Sequence, residues 1–588
     1  MKNKYIKFWN IQKNKILWSK KPKEILKETK NGFKWFNDGK LNAVENCIGK
    51  NLNTKLKKKI AIHYIKENGD EFSFSYEDLN NLINNFSNHL IKKNKKLRPV
   101  FIHSSASIEA SVAMLSSAKL GLKHCVIFEE LENEAIMKRL ELIKPGILIT
   151  KTSDKDKILF LKKAKKKFNF HLIIIHNTKT FLKENSKKIH KKTIYKQFNS
   201  NNALFTLFTS GSTGAPKGII HSTGGYLLYA KLTSSKQFGL KKTNTILCAS
   251  DAGWINGHTY SLYGPLSLGA TTVLLEKPTL ILNIKRLEKI LKKFKVNILY
   301  IPVTLIRLLK NVKYDLNIYT KYLKTLGSMG EPLAKSVASW YSVAFNLKNK
   351  AIVNTYFQTE TGGIIFSPTF KENSTTFGTV GSSFSKKINL NISKFNNKKE
   401  NLKITSPWPG CMIGVENEKK IWRNYWNKDN SFNLFDVGKL NLKNKLLIYG
   451  RNDDVINVRG HRIGTGEIES IVLQINDIIE VCAVPVFDKL EGNRICIFLV
   501  CKKTKSKKII DLIHSKLINN FGTFAIPKKI FFVPSLPKTR SGKLMRRVIR
   551  KLIEKNSKIN DLGDLSTLIN KNSILEIKRV LKSNNDKR

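Results

Sequence analysis

Membrane-length apolar runs are missing from this chain of 588 residues, so no spanning helix is expected. The nearest approach, residues 106–122, contains Glu109 and Lys119 and reads as a buried helix. The opening residues Met1-Lys-Asn-Lys-Tyr5 lead into mixed polar sequence without an apolar core, so no secretory signal is expected. Cysteine is scarce. The seven thiols, Cys47, Cys125, Cys248, Cys411, Cys482, Cys496 and Cys501, are odd in number, and none forms a Cys-x-x-Cys pair. That excludes a disulfide framework and zinc-finger spacing, and it fits reduced thiols in a cytoplasmic enzyme. Acids are few as well: 44 against 105 lysines and arginines, a net charge of +61. The lysines are spread along the whole chain, without a basic region interleaved with aromatics. Drift of composition toward lysine and asparagine accounts for this better than a specific nucleic-acid or membrane partner. The charge would still attract polyanions at low salt.

What the chain does have is a globular composition, with 41% hydrophobic residues and eight tryptophans. Its length suits two or more domains. Strand-like runs alternate with helical patterns: 100–102, a helix at 108–120, then 125–128, 146–150, 171–176, 245–249, 271–275 and 298–301. Such alternation predicts an α/β fold of mostly parallel, doubly wound sheets. The lysine- and asparagine-rich stretches 151–168, 178–202 and 383–402 read as solvated loops or helix surfaces. A boundary falls near Asp453. Beyond it come a helix at 466–474, strands at 482–486 and 495–501, and a helix at 508–519. The expected division is a large N-terminal domain, 1–452, and a smaller α+β domain, 453–588.

The segment Thr209-Ser-Gly-Ser-Thr-Gly-Ala-Pro-Lys-Gly218 follows the strand-like run 203–208. Backbone N–H groups and hydroxyls in such a loop can turn toward phosphate oxygens, and Lys217 adds positive charge. It is not a Walker A loop, because Pro216 precedes the lysine and Gly218 follows it. Further motifs follow in order. They are Ala249-Ser-Asp-Ala-Gly-Trp-Ile-Asn-Gly-His258, Gly330-Glu-Pro332, Tyr356-Phe-Gln-Thr-Glu-Thr-Gly-Gly363 and Phe435-Asp-Val-Gly438. Next come Gly450-Arg-Asn-Asp-Asp-Val-Ile-Asn-Val-Arg-Gly-His-Arg462 and Leu536-Pro-Lys-Thr-Arg-Ser-Gly-Lys543. Upstream stands Trp35-Phe-Asn-Asp-Gly-Lys-Leu-Asn42, with Asn46 and Cys47.

Together and in this order the motifs resemble the acyl-adenylate-forming superfamily, and within it the acetyl-CoA and propionyl-CoA synthetases. The resemblance runs from about Phe8 to Leu581. It implies an AMP-forming ligase that activates a short-chain carboxylate with ATP and Mg2+, then transfers the acyl group to coenzyme A. A carboxylate is a poor acyl donor, and linking it to the α-phosphate of ATP gives it AMP as leaving group. Joining two anions requires positive charge and hydrogen-bond donors at the phosphorus.

Residue by residue, the resemblance implies that Thr209, Ser210, Gly211, Ser212 and Thr213 cradle the pyrophosphate end. Glu360, after Thr359, helps hold magnesium. Gly330, Glu331 and Pro332 border adenine, Tyr356 stacks on it, and Thr355 and Gln358 belong to the same segment. Asp436 takes the ribose hydroxyls, with Arg451 beside it. Arg462 is directed at the α-phosphate, and Lys543 bridges carboxylate and α-phosphate. Asp453 is the hinge between the domains. Trp254, Ile255, Asn256, Met329 and Phe357 form the acyl pocket, and Arg139, Arg459 and Gly460 face coenzyme A. An acetyltransferase and a deacetylase acting on Lys543 are implied partners.

The chain departs from the family pattern in places. Arg459 replaces the usual small residue before Gly-His-Arg. Phe128-Glu-Glu-Leu131 replaces Phe-Gly-Gly-Phe, and its acids repel phosphate unless turned away. Phe357 replaces a tryptophan and frees space, while Ile255 and Met329 fill it. Asn256 brings a polar group able to bind a hydroxyl or keto oxygen. Acetate and propionate, hydroxy, keto or branched short acids, and an acceptor other than coenzyme A therefore stay open. A nucleic-acid-binding protein on the same scaffold is the remaining alternative, suggested by charge alone.

Overall fold

A computed structural model describes residues 2–30, 32–94, 96–188, 193–210, 216–312, 321–348, 352–372, 379–383, 400–441, 445–451, 455–458, 461–488, 492–502, 507–539, 542–555, 562, 565 and 568–583. Two seven-stranded sheets form the large unit. In the first, the order is Gly414–Val415, Pro216–Ser222, Ala203–Ser210, His124–Ile127, Val100–His103, Ile147–Thr150 and His171–Ile174. The last five of these run parallel, and the first three are antiparallel neighbours. The second is ordered Val353–Asn354, Thr325–Met329, Ile298–Pro302, Thr245–Cys248, Thr271–Leu275, Ile60–Ile65 and Glu71–Ser75. Only its last hairpin is antiparallel. Strands buried on both faces read as continuous apolar runs, which is why they were visible in the sequence.

The helix Ile108–Lys119 is buried from Ile108 to Ala118, and Ser107 caps it by accepting from the N–H of Ala110. Its one internal acid, Glu109, accepts from Thr178 at 2.6 Å and lies 3.8 Å from Lys151 Nζ. The lysine-rich stretches contain the helices Lys155–Phe168 and Thr178–Asn185. Much of the third such stretch lies outside the described residues. No helix among the described residues is long and apolar enough to cross a membrane. No disulfide joins any of the seven cysteines.

A three-stranded antiparallel sheet, Glu400–Ile404, Phe432–Leu440 and Leu446–Arg451, sets Asp436 directly opposite Arg451. The C-terminal unit is a separate five-stranded sheet around the ribbon Ile478–Asp488 and Gly492–Cys501. Its side chains alternate between two cores. Val481, Ala483, Ile495, Ile497 and Leu499 pack with the helices Thr465–Val472 and Lys507–Phe521. Cys482, Val484, Cys496 and Phe498 pack with Arg546–Lys555 and Asn572–Ser583. Period-two burial on both faces makes this a layered unit of strands and helices.

Candidate active site

Two contiguous cavities lie where the C-terminal unit meets the large one. The first, about 190 Å³, is bordered by Gly330, Glu331, Pro332, Thr355, Tyr356, Gln358, Asp436 and Arg451. The second, about 420 Å³, is bordered by Thr209, Lys217, Trp254, Ile255, Asn256, Met329, Thr359 and Glu360. Phe357, Gln358, Gly330, Arg451 and Lys543 line both. Residues far apart in sequence thus converge at strand ends, where open α/β sheets place their ligands.

The first cavity is organised by Asp436. Phe435, immediately before it, has φ +56°, a left-handed conformation rare for an aromatic residue. Asp436 is only 7% exposed, accepts from Tyr356 Oη and Gln358 Nε2, and lies 3.6 Å from Arg451. Burial raises its pKa, while Arg451, Tyr356, Lys543 and Gln358 pull the other way. Tyr356, expected as an adenine platform, therefore spends its hydroxyl on the aspartate while its residue still borders the cavity. Gly330 has φ +91°, and a Cβ built there meets nothing within 4 Å, so the backbone opens directly onto free space. Glu331 pairs with Arg307 at 2.7 Å and lies 3.3 Å from Thr304 Oγ1. Neither partner belongs to a motif. Their helical i, i+3 spacing was the only signal available.

In the second cavity the hairpin formed by Ala203–Ser210 and Pro216–Ser222 pairs Thr209 with Lys217 and Ser210 with Pro216. Gly211, Ser212 and Thr213, and the side chain of Ser210, lie outside the described residues. Lys217 Nζ sits 5.8 Å from the ring centre of Tyr425, whose hydroxyl donates to Glu360 at 2.7 Å. Burial first, then Glu360, pushes the Tyr425 pKa up, so the phenol keeps its hydrogen. Tyr425 was not foreseen; it belongs to an aromatic stretch with Trp422 and Trp426 that reads as core. Phe357 packs edge-on against Tyr260, centres 5.7 Å apart. Trp254 leans on Phe128 at 5.2 Å.

Lys543 follows Gly542, whose φ is +81°. Its N–H donates to Thr539 Oγ1 at 3.1 Å, and Gly542 O accepts from Thr304 at 3.1 Å. The C-terminal turn is thereby fastened to the large unit, with Lys543 at the junction of the cavities. Arg546 and Glu469, bonded to each other, close one end of the first cavity.

Of the residues expected around coenzyme A, Arg139 falls among the described residues. Arg139 is 4% exposed, bonds Ala135 O at 2.8 Å and covers the Phe208 ring. Arg459, Gly460 and Asp453, and the side chain of Arg462, lie outside the described residues. Of the two acids in Phe128-Glu-Glu-Leu131, Glu129 is half-buried and interacts with Ser105 and Lys151, while Glu130 is exposed.

Two adjoining cavities that share Lys543, each lined by both polar and apolar side chains, thus lie between the two units. Residues 51–398 match the AMP-binding enzyme family, residues 467–543 the AMP-binding enzyme C-terminal domain, and residues 1–47 the acetyl-coenzyme A synthetase N-terminus. The chain belongs to the AMP-binding enzyme family. An acetyl-coenzyme A synthetase of Leptospira biflexa serovar Patoc is 34% identical, covering 96% of this chain and 92% of its own. One of Helicobacter acinonychis is 32% identical, covering 97% and 92%. Among solved structures, an acetoacetyl-CoA synthetase from Streptomyces lividans has the same fold, with TM-score 0.83 over 98% of this chain and 92% of that one at 16% identity.

Proposed function

We propose that this chain is an AMP-forming ligase that activates a short-chain carboxylate with ATP and passes the acyl group to coenzyme A. The observation that carries the reading is the position of Lys543 at the junction of the two cavities. In the first step a carboxylate oxygen attacks the α-phosphorus and pyrophosphate leaves. Lys543 neutralises the two anions that must approach. Asp436 receives the ribose hydroxyls, with Arg451 favouring its charged form against burial and Tyr356 and Gln358 fixing its orientation. Adenine lies along the backbone of Gly330 to Pro332, where glycine leaves room. Thr209, with Ser210, Gly211, Ser212 and Thr213, receives the leaving pyrophosphate, and the α-phosphate is assigned to Arg462.

The hard oxygens of Glu360, fixed by Tyr425 and facing the second cavity, suit a magnesium ion that also binds the substrate's phosphates. Bound there, the ion would neutralise charge on those phosphates. In the second step the thiolate of coenzyme A attacks the acyl carbon and AMP leaves. The C-terminal unit, from 453 onward, turns about Asp453 between the steps, and Arg459 and Gly460 serve the second, whereas Arg139, buried against Phe208, is dropped from that role. The likeness to acetyl-coenzyme A synthetases along nearly the whole chain supports coenzyme A as acceptor and the cytoplasm as location. Charge neutralisation of Lys543 by an acetyltransferase, reversed by a deacetylase, would switch the first step off. The test is AMP release from ATP, which should require both a two- to five-carbon acid and coenzyme A. Release without coenzyme A would point to another acceptor, and none with any acid would reject the ligase.

A further inference from the structure

The acyl side of the second cavity contains one feature that a plain hydrocarbon tail would waste. Asn256 is half-buried and stands among Ile255, Met329 and Phe357. Its Oδ1 lies 3.4 Å from Tyr300 Oη, which in turn lies 2.7 Å from Thr355 Oγ1. Thr355 Oγ1 also sits 2.9 Å from the carbonyl of Ser328. A carbonyl can only accept, so the single hydroxyl hydrogen of Thr355 is committed there. The short contact to Thr355 then takes the single hydrogen of Tyr300. The 3.4 Å contact is left at the far edge of hydrogen-bonding distance, and Asn256 Oδ1 retains its accepting capacity. No group among the described residues accepts a hydrogen bond from Asn256 Nδ2.

The carboxamide thus offers both an acceptor and a donor at the wall of the acyl cavity. A methyl group there satisfies neither. A keto oxygen satisfies only the donor. A hydroxyl satisfies both, because it donates and accepts. Resting on the ligase reading above, we propose that Asn256 receives a hydroxyl on the acyl chain, and that short hydroxy acids such as glycolate, lactate or 3-hydroxypropionate are the preferred substrate class.

The test compares acid-dependent AMP release for each hydroxy acid with its parent and keto partners: glycolate with acetate and glyoxylate, and lactate and 3-hydroxypropionate with propionate and pyruvate. At least one hydroxy acid should exceed its parent in kcat/KM by roughly tenfold to a hundredfold, since a site with polar groups to fill discriminates against analogues lacking the partner. Asn256→Leu, of similar size, should erase that advantage by lowering kcat/KM for the hydroxy acid relative to its parent, and Asn256→Thr should restore part of it. Equal use of hydroxy and parent acids by the unmodified enzyme would overturn the inference while leaving the ligase reading intact. So would a preference for keto acids, or a hydroxy-acid advantage that survives Asn256→Leu. Failure of every acid would overturn the ligase reading and this inference together.

Discussion

Thr304 Oγ1 donates to the carbonyl of Gly542 across 3.1 Å, tying the helix Val303–Lys310 to the turn that carries Lys543. A Cβ built on Gly542 would come within 2.6 Å of the Thr304 side chain, and the φ of +81° is already one that side chains disfavour. Gly542→Ala should therefore push the turn off its seat. Acyl-adenylate formation should fall by at least about tenfold, since a 1 Å misplacement can cost on the order of 100-fold. Thioester formation from supplied acyl-adenylate should fall much less. Pyrophosphate exchange measures the first step, and equal losses in both would show that this docking serves neither step selectively.

Lys543→Ala removes the charge itself. It should nearly abolish acyl-adenylate formation and leave the second half-reaction largely intact. The decisive measurement is again the split between half-reactions. A variant that loses both equally would remove Lys543 from the role assigned to it.

Asp436→Asn separates binding from folding. The buried carboxylate has a raised pKa, so the native state holds its proton more tightly than the unfolded state does. Its stability contribution is therefore largest below the unfolded value and declines as pH rises through the raised one. A neutral amide removes that cost, so Tm at pH 7.5 should not fall. Nucleotide binding, losing charge-assisted hydrogen bonds, should weaken by about 1.5–3 kcal/mol. A calorimetric titration with AMP beside a thermal melt checks both, and unchanged AMP affinity would reject Asp436 as the ribose ligand.

How much of this was legible beforehand depends on whether a residue acts through its neighbours in sequence or in space. The strands at Val100–His103 and Thr271–Leu275, and the ribbon of the C-terminal unit, announced themselves as apolar runs. Asp436, Glu360 and Lys543 were recognisable because they sit in ordered motifs. The residues that hold them were not. Arg307 restrains Glu331, Tyr425 restrains Glu360 and Thr304 seats Gly542, each across more than 20 positions of chain. Tyr356 shows the converse: its motif was visible, but its bond to Asp436 depends on the antiparallel sheet and the left-handed turn at Phe435.

Acid should loosen the same site through His221. The ring is buried, its Nε2 lies 2.7 Å from the carbonyl of Thr359, and burial pushes its pKa down to about 4. The unfolded state binds a proton near 6.5 and the native state does not, so stability is present above that value and is lost as pH falls toward 4. Each pH unit inside the window costs about 1.4 kcal/mol for such a ring. Tm should fall between pH 6.5 and 5, and less steeply in His221→Gln, which preserves a donor for Thr359. Identical slopes for the two proteins would show that another group governs acid loss.

Phe357→Trp should shorten the range of acids accepted. The ring of Phe357 is backed by Tyr260, which is fully buried, donates to Thr233 at 3.1 Å and accepts from the N–H of Ile364 at 2.8 Å. A larger ring cannot grow in that direction without breaking those bonds, so its volume must enter the cavity shared with Ile255 and Met329. Overpacking costs typically about 1–3 kcal/mol, which translates to a change of roughly 10- to 100-fold in relative kcat/KM. The loss should fall on acids of three or more carbons, while acetate turnover changes little because its methyl stops short of the new ring. The quantity to measure is kcat/KM for propionate over acetate in both proteins. A ratio that does not move would place the third carbon elsewhere and remove Phe357 from the wall of the acyl pocket.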